Sequence, residues 1–488
     1  MSKFHSTVSR RDFIKVLGFG AGLGTAMAAT PVFHDLDELT NIARTNPLNK
    51  WWVKENDYEE LTTPVDWNIF QAVGYQGRAN TVSVKSEVSA KYNEDTRALY
   101  QYGIDNKVPG LSLRDMALSF GARGCSPSVP WDGPALTLGN IGNNSTFPGK
   151  VTYSPWQGNT EDNLKMCRAA LHYYGSPRVG VIEVNEHTKR LFNWGKVIWD
   201  SSSVGNIDKS GVQHVPESCR WILVYVVKQE AMQNLFGTGE MEAGGVLNDY
   251  AGVTNPNKIS NKSLGGASSS RAYAEGPAIQ YRIMRFIKAL GYQAYDPTAT
   301  ANVPFGVFSG LAEESRSGQS LSPDYGIFLR YMRIVVTDLP LIPTKPINAG
   351  LTEFCKVCKR CAEVCPSGGI TQADDTSWEG TGPWPVNGGN NRIGFKGWFL
   401  NWQTCADMGN PWNCTQCQSA CPFNSLTDAS VHSIIRATAA ITPVFNSFFA
   451  TMERNFGYGK MRSADEWWDR DLASWKHDSL FGFGTAGW

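Results

Sequence analysis

The 488-residue chain has no net charge, because 45 lysines and arginines balance 45 aspartates and glutamates. It also has no run of basic residues. A nucleic-acid binder needs a basic face or stripe, so that class of partner is argued out. Long apolar runs are lacking as well. The only one ends near Phe33, is rich in Gly and Ala, and falls short of the ~20 strongly apolar residues of a confident membrane span. The mature chain is therefore expected to be soluble. Glycines at 18, 20, 22 and 24 lack the third glycine of G-x-G-x-x-G and follow no strand, which removes a dinucleotide loop.

What the chain does have is cysteine in an unusual place. Eight of its eleven cysteines lie between Cys355 and Cys421. The first set is Cys355-x2-Cys358-x2-Cys361-x3-Cys365-Pro366. The second is Cys405, then Cys414-x2-Cys417-x3-Cys421-Pro422. C-x2-C-x2-C-x3-C-P is the bacterial ferredoxin run: three thiolates wrap one corner of a [4Fe–4S] cubane and the fourth reaches the other cluster. The second set lacks a cysteine at position 411, where Pro411 stands, and Cys405 is the natural replacement. The crossover rule assigns Cys355, Cys358, Cys361 and Cys421 to cluster 1, and Cys365, Cys405, Cys414 and Cys417 to cluster 2. Zinc sites favour paired C-x2-C modules with long spacers, and disulfides are not expected at this tight spacing. Cys125, Cys167 and Cys219 are left over and read as small buried apolar residues.

The N-terminus reads Ser9-Arg10-Arg11-Asp12-Phe13-Ile14-Lys15 before the weakly apolar stretch, with Ala26-Met27-Ala28 as a cleavage site. This is the pattern of a twin-arginine export signal, a route for folded proteins that already hold their cofactors. The expected location is the outer, periplasmic face of the cytoplasmic membrane.

Residues 1–33 form the signal, and 34–160, rich in Gly, Pro, Asn and Ser, form a wrapping region. A core follows over 161–345. Glu161 to Tyr174 has helical spacing, with Leu164, Cys167, Ala170 and Leu171 on one face. Val179–Val184, Trp221–Val227 and Arg333–Thr337 read as strands, the second buried on both faces. Ala278 to Leu290 is helical, with Ile279, Ile283, Phe286, Ile287 and Leu290 on one stripe and Gly291 as C-cap. Helices among buried strands imply an α/β (α+β) core. The cluster module spans 346–425. A tail over 426–488, containing Phe445, Phe448, Phe449, Trp467 and Trp468, is expected to pack back on the core. Two clusters need far fewer residues than the chain has, so the bulk holds another redox centre or docks other subunits.

Taken together, the order of elements resembles the reductive dehalogenases. The resemblance rests on the Arg10-Arg11 signal, the mixed core, Gly310-Leu-Ala-Glu-Glu-Ser-Arg316-Ser-Gly318, Ser322-Pro-Asp-Tyr-Gly326, Thr337-Asp-Leu-Pro-Leu341 and the two cysteine sets. It covers nearly the whole chain and is nearest the chloroethene-type members of obligate organohalide-respiring bacteria. It implies a base-off cobamide in a nitroreductase-like core, with the two [4Fe–4S] clusters in a ferredoxin-like module. It also implies a small halogenated organic substrate, a respiratory electron donor and a small integral-membrane anchor subunit, with a homodimer left open. The cobalamin motif Asp-x-His-x-x-Gly is absent. None of the seven histidines has an aspartate two residues before it, and His172, with Gly175 following, has Ala170 there.

The resemblance further implies a tyrosine proton donor assisted by a cation. A tyrosine hydroxyl ordinarily titrates near ~10, and a neighbouring cation favours the phenolate. Tyr273, at the start of the helix that ends at Gly291, takes the donor role, with Tyr281 in reserve. Arg330 takes the cation role, with Arg316 as the alternative. Two other readings compete. An epoxyqueuosine reductase shares the cofactors, but it works on tRNA in the cytoplasm. A non-catalytic electron-transfer subunit needs no core of this size.

Overall fold

The computed structural model describes residues 44–70, 155–230, 262–299, 302–365, 367–379, 394–409, 415–424, 430–455 and 464–471, with short pieces elsewhere. The export signal and Cys125 lie outside the described residues.

Four strands make the central sheet: β1 (Val179–Glu183), β2 (Trp221–Lys228), β3 (Ala294–Tyr295) and β4 (Leu329–Thr337). Their order is β1-β2-β4-β3, and every pair is antiparallel, with Val181 opposite Leu223, Ile334 opposite Val224 and Val336 opposite Tyr295. The antiparallel ladder decides between the two expected classes in favour of α+β, a mixed helix and strand body. The apolar run of β2 is continuous because both faces are covered. Leu223, Tyr225 and Val227 point to one core, while Ile222, Val224 and Val226 point to the other. Side chains alternate faces along a strand, so one unbroken run supplies two cores. Burying each such side chain is worth roughly 1.5–3 kcal/mol.

The first core is closed by α1 (Thr160–Tyr174) and α2 (Lys262–Ala289). From α1 come Leu164, Cys167 and Leu171, and from α2 come Ile279, Ile283 and Ile287. Asn159 caps α1 by accepting from the Asp162 N–H, and Gly175 ends it at φ 108°. The helix α2 differs from expectation. It begins sixteen residues before Ala278 and runs straight through Pro277. A Gly-Pro pair reads as a helix start, but proline is compatible with a helix that gives up the i→i−4 bond at that point. Tyr273, four residues before Pro277, therefore sits inside the helix and not at its start.

The second core packs Phe192, Phe305, Phe308 and Leu311 on the opposite face, with α3 (Asn302–Phe308) contributing two of them. The cysteine-bearing segment is built from α4 (Leu351–Cys358), α5 (Arg360–Glu363), α6 (Trp402–Gly409) and α7 (Gln416–Ser419). Two further helices, α8 (Ser430–Ile441) and α9 (Asn446–Asn455), cover it. Ala439, Phe449 and Ala450 join Phe354 and Cys358 in its core, so this part of the C-terminal region lies on the cluster helices. Trp467 instead packs with Phe236 and Leu264. Among the described residues no helix is long and apolar enough to cross a membrane.

Candidate metal centre

The site is assembled where a loop of the core meets the cysteine helices. Glu313–Glu314 and Ser320–Leu321 pair as a short antiparallel hairpin. Its loop is closed by Ser315 N–H to the Gln319 carbonyl at 2.9 Å and by Gly318 at φ +64°. The loop drives Arg316 into the cysteine module. Glu313, fully buried, accepts from the N–H of Ala349 at 2.6 Å and of Thr352 at 3.2 Å, and from the Thr352 hydroxyl at 2.9 Å. It thereby satisfies the open N–H groups at the start of α4 and anchors that helix to the core. Burial pushes the Glu313 carboxyl up, against these hydrogen bonds.

Cys355 and Cys358 project from α4. Lys359 then takes a left-handed conformation, φ 54°, which breaks the helix and starts α5 so that Cys361 turns back toward the other two. Cys421 arrives from the far end of the sequence set, just after α7. All four line one cavity, together with Ser315, Arg316, Ser317, Ile327, Phe354 and Phe423. They ring its wall and do not converge on a point. Among the described residues no three Cys, His, Asp or Glu side chains are grouped to hold a single metal ion. Burial lifts the Cys355 thiol to about 11 and Cys358 to about 12, and raises Cys361 and Cys421 well above the ordinary range. Neighbouring thiols add to the shift in Cys358, Cys361 and Cys421. Four thiolates this buried would stay ionised only against a positively charged group bonded to them.

Of the second set, burial lifts the Cys405 thiol to about 11, and the nearby Cys365 adds to that shift. Cys365 and Cys417 flank the same apolar cluster of Ala362, Ile370 and Leu400. The Gln319 amide donates to Cys417 Sγ at 3.3 Å. Cys414 lies outside the described residues.

Other expected site residues are more scattered. Tyr273 is 42% exposed on α2. Tyr281, half-buried against the first core, accepts from Arg285 Nη1 at 3.1 Å, with the guanidinium 5.1 Å from its ring centre. Arg330 stands at the β-bulge between Leu329 and Tyr331, and its side chain lies outside the described residues. Arg316 is wholly buried among backbone carbonyls of the cysteine module, so it sits beside the thiols. Cys167 and Cys219 are buried, one in each core.

A family model described as a 4Fe-4S double cluster binding domain matches residues 354–424, and one described as a reductive dehalogenase subunit matches 253–341. A chloroethene reductive dehalogenase of Dehalococcoides mccartyi (strain VS) is 32% identical over 99% of both chains. The chain belongs to the reductive dehalogenase family. A trichloroethene reductive dehalogenase of Dehalococcoides mccartyi (strain ATCC BAA-2266 / KCTC 15142 / 195) is 30% identical, covering 96% of this chain and 97% of its own. Among solved structures, the catabolic reductive dehalogenase NpRdhA in complex with 3-bromo-4-hydroxybenzoic acid superposes with a TM-score of 0.52 at 17% identity. That match covers 83% of this chain and 49% of that one. It shows the shared fold alone, and this chain spans about half the length of that protein. An epoxyqueuosine reductase of Bacillus subtilis (strain 168) matches only 30% of the chain at 25% identity, so the family resemblance, and not this alternative, is borne out.

Reductive dehalogenases carry a corrinoid besides the two clusters, and one part of the structure fits a large polar-edged group. Gln229, at the end of β2, is fully buried with both amide atoms unpartnered among the described residues. Buried polar atoms are almost always hydrogen-bonded, so this amide points to a partner outside the protein. Next to it in the chain, the Glu230 carbonyl accepts from the Ser268 hydroxyl of α2 at 2.8 Å, and Ala267 and Ser269 on either side of Ser268 are buried. The adjoining Lys228 lies 5.0 Å from the Tyr325 ring centre, and burial lowers it to about 8. Sequence reasoning did not find Gln229, Gln319 or Glu313. The available signal was a polar residue closing the apolar run of β2, and an unusually polar stretch over 313–320.

Proposed function

We propose that the chain replaces a carbon-bound chlorine of a chlorinated ethene by hydrogen, consuming two electrons and one proton and releasing chloride. The observation that carries this is the ring of Cys355, Cys358, Cys361 and Cys421 around one cavity, in a chain similar over nearly its whole length to dehalogenases named for chloroethenes. When bound, the corrinoid supplies the strongly reducing metal that the carbon–halogen bond requires, and the clusters supply its electrons singly. Cys355, Cys358, Cys361 and Cys421 hold cluster 1, and Cys365, Cys405, Cys414 and Cys417 hold cluster 2. Gln229 would help hold the corrinoid through its buried amide, and the nitroreductase-like description is proposed for the sheet and helices around it. Tyr273 donates the proton and Arg330 assists. In support, Tyr273 lies on the helix that packs against the strand bearing Arg330.

The remaining readings rest on the sequence: a 1–33 twin-arginine signal, domains divided at 160, 345 and 425, and a place on the outer face of the cytoplasmic membrane. A small membrane anchor subunit and a respiratory donor complete the assembly, with a homodimer as one arrangement. Metal analysis and methyl viologen-driven halide release test the core of this proposal. About eight irons and one cobalt per chain, with chloride released from chlorinated ethenes, are expected. A protein that loads iron but no cobalt and releases no halide overturns it in favour of an electron-transfer subunit.

A further inference from the structure

The loop bearing Arg316 has so far served only to join two parts of the molecule, yet its guanidinium is placed in an unusual way. It is 0% exposed and lines the same cavity as Cys355, Cys358, Cys361 and Cys421. Nε and Nη2 donate to the Cys355 carbonyl at 3.0 and 2.8 Å, and Nη2 also reaches the Lys356 carbonyl at 3.2 Å. Nη1 donates to the carbonyls of Thr371, at 3.0 Å, and Ala373. The plane lies 4.7 Å from the Trp398 ring centre. Every acceptor is neutral, and among the described residues no carboxylate forms an ion pair with Arg316. Asp374, whose charge it feels, is 76% exposed and paired with Lys359.

A buried cation without an anion is costly unless an opposite charge stands close by. Arginine does not escape that cost by losing its proton. The anion the structure offers is the set of four thiolates with the cluster they hold. We propose that Arg316 is the counter-charge of cluster 1 and holds its reduction potential above the value the four thiolates alone would set. A cluster with four thiolates is negative and becomes more so on reduction, so a fixed positive charge favours the reduced form. Net charge and hydrogen bonding around a cluster are what set its potential, and a low-dielectric site amplifies the effect. Arg316 is thus a positioning and tuning residue that touches neither substrate nor corrinoid. At cluster 2 the corresponding donor, Gln319 on Cys417, is a neutral amide.

The inference rests on the cluster reading above, and the test separates the two. Holoenzyme is titrated potentiometrically under anaerobic conditions and the reduced clusters are followed by electron paramagnetic resonance, in wild type, Arg316→Met and Arg316→Lys. In the Met variant the cluster 1 midpoint should fall by at least a tenfold change in the reduction equilibrium, 59 mV for one electron, with cluster 2 unmoved. The Lys variant, which keeps the charge, should stay within that margin of wild type. A Met variant with both clusters and an unchanged midpoint overturns the proposal, as does a Lys variant that falls as far as Met. If the Met variant does not assemble, the Lys variant decides alone: a midpoint within the margin supports the role of charge, and one outside it overturns the proposal. Cys355→Ser serves as the separate control. Should it retain both cluster signals, the cluster reading itself fails.

Discussion

Cys405 stands six residues before the position where a ferredoxin run would place its cysteine, and the structure sets it next to Cys365. Two thiols brought together from α6 and the end of the first set are what a fourth ligand to cluster 2 requires. Cys405→Ser should lower iron from about eight toward about four per chain and remove one cluster signal, measured by iron assay and electron paramagnetic resonance; full iron content would assign the ligand elsewhere. At Tyr273 the test is different, because its 42% exposure is unusual for a group meant to work in an insulated pocket. Tyr273→Phe should abolish halide release while cobalt and iron contents stay at wild-type levels. Tyr281→Phe, which loses the contact with Arg285, should leave turnover near normal. Inversion of that pattern would move the proton donor one stretch along α2.

The helix α4, which carries Cys355 and Cys358, has its first turn held from outside. Glu313 occupies the open N–H groups there, and the left-handed Lys359 ends the helix in time for Cys361. Glu313→Ala leaves those buried groups without an acceptor and should cost about 3 kcal/mol. Denaturant unfolding of the holoenzyme would show it, with cluster 1 lost before cluster 2. Glu313→Gln, which keeps one acceptor oxygen, should lose less. The helix α2 shows how an element can exceed its signal. Its apolar stripe begins at Ile279, but the preceding run of Gly, Ala and Ser packs too, because small side chains let the helix approach its neighbours closely. Periodicity detects the large apolar residues and is blind to that kind of packing.

Across the whole molecule, the core and the cluster module meet through an apolar cluster, with Leu321 and Ile327 against Phe354 and Phe423, and through polar groups. Arg436 of α8 donates to the carbonyls of Asp324 and Phe423, Asn424 accepts from the Ile327 N–H, and Arg316 enters from the core side. Gly326 lies at the junction with φ +63°, where an added Cβ would run into the side chain and backbone of Asn424. Gly326→Ala should therefore destabilise the junction by about 2 kcal/mol or more. The expected sign is faster cluster loss on mild heating with the secondary structure of the core still present. Unchanged cluster retention would show that the two parts are held by other contacts.

The cysteine sets, the strands β1, β2 and β4 and the apolar stripes of α1 and α2 were legible from the chain itself, because spacing and periodicity are local properties. The crossover rule also led to the expected grouping of Cys421 with Cys355, Cys358 and Cys361, and these four side chains line one cavity. The antiparallel pairing of the sheet was not legible, because an apolar strand buried on both faces reads alike in either sense. Nor were the roles of Glu313, Arg316, Gln319 and Gln229, each of which depends on a partner far away in sequence or on a group the protein must hold. Only the tertiary structure showed where these side chains lie and which polar atoms they meet, because burial makes each hydrogen-bond partner count.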